Sequence, residues 1–270
     1  MSAPRAAGEN VRLAVADGVA TITLAKVKAR NSIDIPMSTE IYARLQEAAS
    51  RDDVGVILVR ADGPAWCVGG AIDAFLDVGD GMHAYMLELG KSINALVRTL
   101  HECDKITIAA VHGAVGGGGL GIMLAHDIVL AQEGTVFALG YSRIGTSPDG
   151  GNSYFLTRDV GYRRALELYL LNRRLEAAEA HELGMVNRVV AAGELEAAAG
   201  DLAAQIAAGP WRAHAAAKTL LRRAQDGLLA RQLDDEIRMF ADNTRESDFN
   251  EGLSAFLEKR APRFGAGKGG

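Results

Sequence analysis

Cysteine is scarce: the chain holds two, Cys67 and Cys103, in 270 residues. Residues 1–8 are small and polar, with no apolar run of the kind an export signal needs. The two cysteines therefore read as reduced thiols of a cytoplasmic protein, not as a disulfide framework. Blocks of like charge are missing as well, and the net charge is −5. A nucleic-acid binder shows a basic stripe, so no nucleic-acid partner is expected. Uninterrupted apolar stretches are also lacking. Residues 105–130 come nearest, but His112, a glycine run, His126 and Asp127 break them up, so no membrane span is expected. No His or Cys cluster stands at ligand spacing and H-E-x-x-H does not occur, which excludes a recognisable metal site and gives no sign of a redox cofactor.

What is present suits a globular domain with a sizeable core: 49% of residues are hydrophobic and 23% charged. Val11, Leu13 and Val15 alternate with Arg12, Ala14 and Ala16, and Asp17-Gly18 supplies a turn into residues 18–24, which predicts a hairpin. Residues 54–59, 106–111 and 127–131 are short apolar runs of the kind that form strands covered on both faces. Between them, residues 38–50, 81–100 and 120–125 carry helical periodicity. This alternation predicts an α/β fold with parallel pairing. From residue 152 onward the chain reads as helical, over 154–171, 177–183, 195–208, 212–226, 228–244 and 248–259, with a brief strand at 186–190. The expected organisation is a core over residues 9–200, a helical oligomerisation region over 201–264 and a Gly-rich disordered tail over 265–270.

The most informative stretch is residues 105–127, in which a buried strand runs into Gly116, Gly117, Gly118 and Gly119 and then into an apolar helix. Four glycines cost backbone entropy, and a chain tolerates that where bare backbone must approach something closely. A helix starting at such a turn directs free N–H groups outward, which favours negative charge. Three readings compete. Gly116, Gly118 and Gly121 fit a dinucleotide fingerprint, but residues 137–142 lack the acid expected downstream. Close packing of helix on strand with no ligand is the second. The third is an oxyanion hole, which demands a second amide donor. Residues 61–70 offer one, since they again run from a strand through a turn to an adjacent pair, Gly69 and Gly70.

Here the chain resembles the crotonase (enoyl-CoA hydratase/isomerase) superfamily. Trp66-Cys67-Val68-Gly69-Gly70 resembles its first oxyanion motif and the glycine run its second. Asn31, residues 170–180 and 184–190, Pro210, Lys218 and residues 256–264 fit further shared blocks, so that the resemblance spans about residues 11–264. It implies a spiral of ββα units with a C-terminal helical region, and an acyl-CoA thioester as substrate. Coenzyme A is then part of the substrate, and no separate cofactor is implied. The Val68 and Gly118 amides are the implied oxyanion donors, with Cys67, Gly69, Gly70 and Gly117 around them. The matching positions for the coenzyme A moiety are Lys28, Phe256 and Lys259. Otherwise the two lysines are solvated charges and Phe256 a core or interface aromatic. The resemblance also implies a homotrimer or a dimer of trimers.

The superfamily's hydratases use two glutamates, and the matching positions here are Gly121 and Tyr141, so neither carboxylate is present. A different acid remains. Thr146-Ser147-Pro148-Asp149-Gly150-Gly151 resembles a turn of the enoyl-CoA isomerases and phenylacetate-pathway isomerases, in which one carboxylate moves a proton between carbons. The base must hold that proton between steps, which burial against apolar walls favours. From residue type alone Asp149 reads first as an N-cap of the helix that follows, and the resemblance turns the reading toward a base. Tyr141 reads as a wall of the acyl pocket, and Glu88 as a solvated helix position or a second acid. Asp73 has no assigned role. The spacing of Tyr141 and Asp149 also resembles aryl-CoA dehalogenases. The expectation is thus an enoyl-CoA isomerase. The alternatives are a hydratase, an acyl-CoA hydrolase or dehalogenase, and a scaffold or RNA-binding relative without activity.

Overall fold

The computed structural model describes residues 10–75, 78, 81–226, 247, 251, 255, 258, 260, 263 and 264. The expected hairpin is β1 (Val11–Ala16) and β2 (Val19–Leu24), paired antiparallel through the Asp17-Gly18 turn. Helix α1 (Ile35–Ala49) starts three residues before the apolar periodicity suggests. Asp34 is its N-cap, accepting from the Met37 N–H at 2.9 Å, and Pro36 sits in the first turn where its missing N–H costs nothing.

β3 (Val56–Ala61), the short α2 (Ile72–Phe75) and the long α3 (Met82–Glu102) follow. On α3 the residues Leu89, Ile93, Leu96, Val97 and Leu100 are buried, as the spacing predicts. Each such side chain contributes about 1.5–3 kcal/mol of hydrophobic stabilisation. Then come β4 (Ile106–Val111), β5 (Ala114–Gly116), α4 (Gly117–Leu124), β6 (Ile128–Gln132) and β7 (Val136–Ala138).

Residues 154–171 are not one helix but two, α5 (Asn152–Val160) and α6 (Tyr162–Leu171). Gly161 separates them at φ 81°, a backbone state in which an α-helix cannot continue. The described chain continues with β8 (Arg174–Glu176), α7 (Ala177–Glu182), β9 (Arg188–Val190), α8 (Leu195–Ala207) and α9 (Trp211–Asp226). The helices expected at 228–244 and 248–259, with Phe256 and Lys259, lie outside the described residues or on isolated ones.

The strands form a six-stranded sheet in the order β1-β2-β3-β4-β6-β9 and a small sheet in the order β5-β7-β8. Beyond the hairpin, neighbours in the large sheet are parallel. Isolated bridges, Ile33 with Gly70 and Cys67 with Val115, extend the pattern of the small sheet. The turns that begin at β2, β3, β4 and β6 each give a long strand to one sheet and a short strand or single bridge to the other, which is the expected spiral. One face of the large sheet packs on α8 through Val56, Leu58, Ile108 and Leu130, and the other faces the main core. Helix α8 crosses the boundary expected at residue 200.

Helix α9 docks on its own chain through Trp211, Lys218 and Arg222, the last donating to His101 O at 2.6 Å. A Cβ at Gly55 would sit 2.3 Å from the Trp211 ring, so only glycine admits the indole. Lys218, 9% exposed, donates to Leu100 O and Lys105 O at 3.1 and 3.0 Å and pairs with Asp127 at 2.8 Å. A buried ammonium is tolerated because charge and donors are matched in this way. Among the described residues no helix is long and apolar enough to cross a membrane.

Candidate active site

The site forms where the chain passes twice from the large sheet to the small one. After β3 the first loop runs beside the β4–β5 connection: Trp66 N donates to His112 O at 3.0 Å, Cys67 N to Ala114 O at 3.3 Å, and Gly116 N to Cys67 O at 3.0 Å. These bonds lay Val68 and Gly69 against Gly116 and Gly117. Side chains are excluded there. A Cβ at Gly69 would stand 2.8 Å from Gly116 O, and one at Gly119 would stand 2.6 Å from Cys67 Sγ. The glycine run is therefore a close-approach device. It also enters the helix earlier than expected, with Gly116 as cap and Gly117 at φ 47°.

Three amides border this junction. The first is the Gly69 N–H, two residues beyond the buried Cys67. Among the described residues nothing accepts from the Val68 N–H or from the Gly118 N–H, which is in the first turn of α4 where helical amides have no internal acceptor. Cys67 itself is inert: burial pushes its thiol up to about 12, so it stays protonated at neutral pH. Asn31, fully buried at φ 55°, fastens the early loop to the first loop by donating to Asp62 O and Ala65 O at 3.0 and 2.9 Å.

Asp149 lies on the opposite side of the same junction. Its Oδ1 is 3.8 Å from where a Gly118 Cβ would be, with Ile33 Cδ1 and Ile93 Cδ1 each at 3.9 Å. It does not cap α5. Gly151, at φ 83°, holds that position with no side-chain bond. Asp149 Oδ1 instead accepts from Tyr141 Oη at 2.6 Å. Tyr141 sits in a single 3₁₀ turn (Tyr141–Ile144) after β7. Burial, and then the Asp149 charge, raise the Tyr141 phenol far above its usual range, so it remains a donor. The enclosure expected around Asp149 is incomplete, since the residue is exposed.

Sequence reasoning passed over Asn152. It is fully buried, and its Nδ2 lies 2.9 Å from Tyr141 Oη, 3.1 Å from Gly117 O and 2.9 Å from Asp149 O. An Asn at the start of a helix after Gly-Gly normally faces solvent, so no local signal marks it. The position of Gly121 is closed for a physical reason: a Cβ there would stand 2.2 Å from Gly150 O and 2.8 Å from Asn152 Nδ2. Lys28 is exposed on a 3₁₀ turn (Val27–Ala29), and Glu88 is exposed on α3. Gly70 is bridged to Ile33 at the edge of the site. Among the described residues no group of three His, Cys, Asp or Glu is placed to hold a metal ion.

The enoyl-CoA hydratase/isomerase family model matches residues 14–267. A probable enoyl-CoA hydratase of Rhodobacter capsulatus is 33% identical over 257 residues, covering 94% of this chain and 97% of its own. The 1,2-epoxyphenylacetyl-CoA isomerase of Escherichia coli K12 is 33% identical over 251 residues, covering 93% of this chain and 96% of its own. Among solved structures, an enoyl-CoA hydratase/isomerase-like protein from Mycobacterium abscessus superposes with a TM-score of 0.91 at 30% identity, covering 94% of this chain and 98% of that one.

Proposed function

Since the chain belongs to the enoyl-CoA hydratase/isomerase family, we propose that it moves the double bond of a 3-enoyl-CoA, or opens a strained-ring equivalent, to give a 2-enoyl-CoA with Asp149 as its single base. The observation that carries this reading is the Asp149 carboxylate, held by Tyr141 beside Gly118, in a site where the two glutamates of a hydratase are replaced by Gly121 and Tyr141.

The reaction needs little machinery. The Val68 and Gly118 N–H groups donate to the thioester oxygen, so that charge forming there meets two preorganised donors. Asp149 takes a proton from C2, and the enolate delocalises over the double bond. The same carboxyl returns the proton at C4. With one carboxylate oxygen engaged by Tyr141, the other exchanges the proton. The Escherichia coli relative, whose name describes a ring-strained acyl-CoA, supports the strained-ring branch of the substrate class. The hydratase name of the Rhodobacter relative sets the competing outcome.

Purified protein incubated separately with 3-enoyl-CoA and 2-enoyl-CoA separates the two. The expected result is formation of the conjugated thioester from the first and slow or no hydration of the second. Fast hydration of 2-enoyl-CoA without isomerisation would reject the proposal.

A further inference from the structure

We infer that Asn152 is a positioning residue that ties the base to the oxyanion peptide. This rests on the reading of Asp149 as base and the Gly118 N–H as donor, and goes beyond it by naming what aims them.

The Gly117 carbonyl and the Gly118 N–H are the two ends of one peptide unit. That unit is planar and trans, so fixing the direction of its C=O fixes the N–H in the opposite direction. Gly117 stands at φ 47° as the first residue of α4 in a run of four glycines, so its peptide is held by the helix's first backbone bond and by Asn152, with no side chain of its own to brace it. Asn152 Nδ2 lies 3.1 Å from Gly117 O and 2.9 Å from Tyr141 Oη, and that phenol donates to Asp149 Oδ1 at 2.6 Å. The donors run in one sense, from the Asn152 amide to the Tyr141 hydroxyl and from that hydroxyl to the carboxylate. A second branch runs from Asn152 to the oxyanion peptide. A bond accepted at the carbonyl also polarises the peptide and strengthens its N–H as a donor, by roughly 10–30% per bond in chain estimates.

Asn152 is also not an ordinary packed amide. It is 0% exposed, and its Oδ1 accepts from no described residue. Its Nδ2 has two N–H groups and lies within hydrogen-bond reach of three oxygens on three segments: Gly117 O at the α4 start, Tyr141 Oη in the turn after β7, and Asp149 O.

The test uses Asn152→Leu, which keeps volume and removes the donors, and Asn152→Ser, which is too short to reach Gly117 O. Both are compared with Tyr141→Phe and Asp149→Asn. Each is checked by circular dichroism and thermal unfolding. Two readouts follow. One is kcat and KM for 3-enoyl-CoA. The other is the absorbance red shift of a bound para-amino-cinnamoyl-CoA, a push–pull chromophore that reports polarisation of the thioester carbonyl. Loss of one oxyanion donor costs on the order of 10²–10³ in kcat, and misaiming one should cost part of that. Both Asn152 variants should lose about 10- to 100-fold in kcat with KM within about threefold, and the red shift should shrink. Tyr141→Phe and Asp149→Asn should keep the red shift whole.

A folded Asn152→Leu or Asn152→Ser with a full red shift overturns the inference. Full activity of Asp149→Asn overturns the base reading and leaves the Asn152 result to be judged on the red shift. No red shift in the wild-type protein removes the oxyanion reading itself.

Discussion

Asp149→Asn is expected to slow 3-enoyl-CoA isomerisation on the order of 10³-fold while leaving acyl-CoA affinity within about threefold. The substitution keeps shape and keeps an oxygen to accept from Tyr141 Oη, which stands 2.6 Å away in the wild type. The turn is therefore retained, and what is lost is the capacity to take a proton. Among the described residues Asp149 is the carboxylate placed beside Gly118, Gly121 and Tyr141 stand at the two hydratase acid positions, and Glu88 and Asp73 are on α3 and α2. With no second base to substitute, kcat should fall and KM should not. Cys67 offers no rescue, because its buried thiol titrates only at about 12. Turnover of 3-enoyl-CoA by the variant, followed as conjugated thioester, checks this. A loss under tenfold would mean that the proton moves elsewhere.

Gly121→Glu should destabilise the protein by about 3 kcal/mol, roughly 6–12 °C in Tm for a chain of this size, and should not create a hydratase. Restoring the missing glutamate looks like the obvious route to alkene hydration. The geometry forbids it. The first carbon of any side chain at 121 would stand 2.2 Å from Gly150 O and 2.8 Å from Asn152 Nδ2. The first of these is backbone, so relief requires the Asp149-Gly150-Gly151 turn to move. That turn carries Asp149, the proposed base, and the Asn152 contact carries the link to Gly117 O. The variant should therefore lose isomerase activity along with stability. Thermal unfolding and a 2-enoyl-CoA hydration assay test both parts, and wild-type Tm with gained hydration would contradict them. Gly118 offers the contrast. A Cβ there meets nothing closer than 3.8 Å, so its bareness serves the site more than the packing.

Much of this fold is legible in local chemistry. The Asp17-Gly18 turn sets the hairpin, the β-branched runs give β3 and β4, and the spacing of Leu89, Ile93, Leu96 and Leu100 gives the buried face of α3. The two amide-bearing loops are legible because glycine there has no cheaper explanation than close approach, and the Gly69 and Gly119 contacts bear that out. What escapes is set by distant partners. β5, β7 and β8 are three residues each, too short to carry a period, and exist because they pair with one another. The break at Gly161 looks like a tolerated glycine inside a helical pattern. Asp149 passes for a helix cap until Gly151 is seen to hold that position. Asn152 and the closure at Gly121 depend on contacts between α4 and the turn into α5, such as Asn152 with Gly117 O, far apart in sequence, and no short window along the chain contains both.

The central claim is that two main-chain amides polarise a thioester carbonyl beside Asp149. The most direct measurement is isotope-edited infrared difference spectroscopy of 3-enoyl-CoA, carrying ¹³C at the thioester carbonyl, bound to Asp149→Asn so that no turnover intervenes. The stretch should move to lower frequency than in free solution, as it does when a carbonyl accepts strong hydrogen bonds. A bound carbonyl vibrating at its solution frequency would contradict the account.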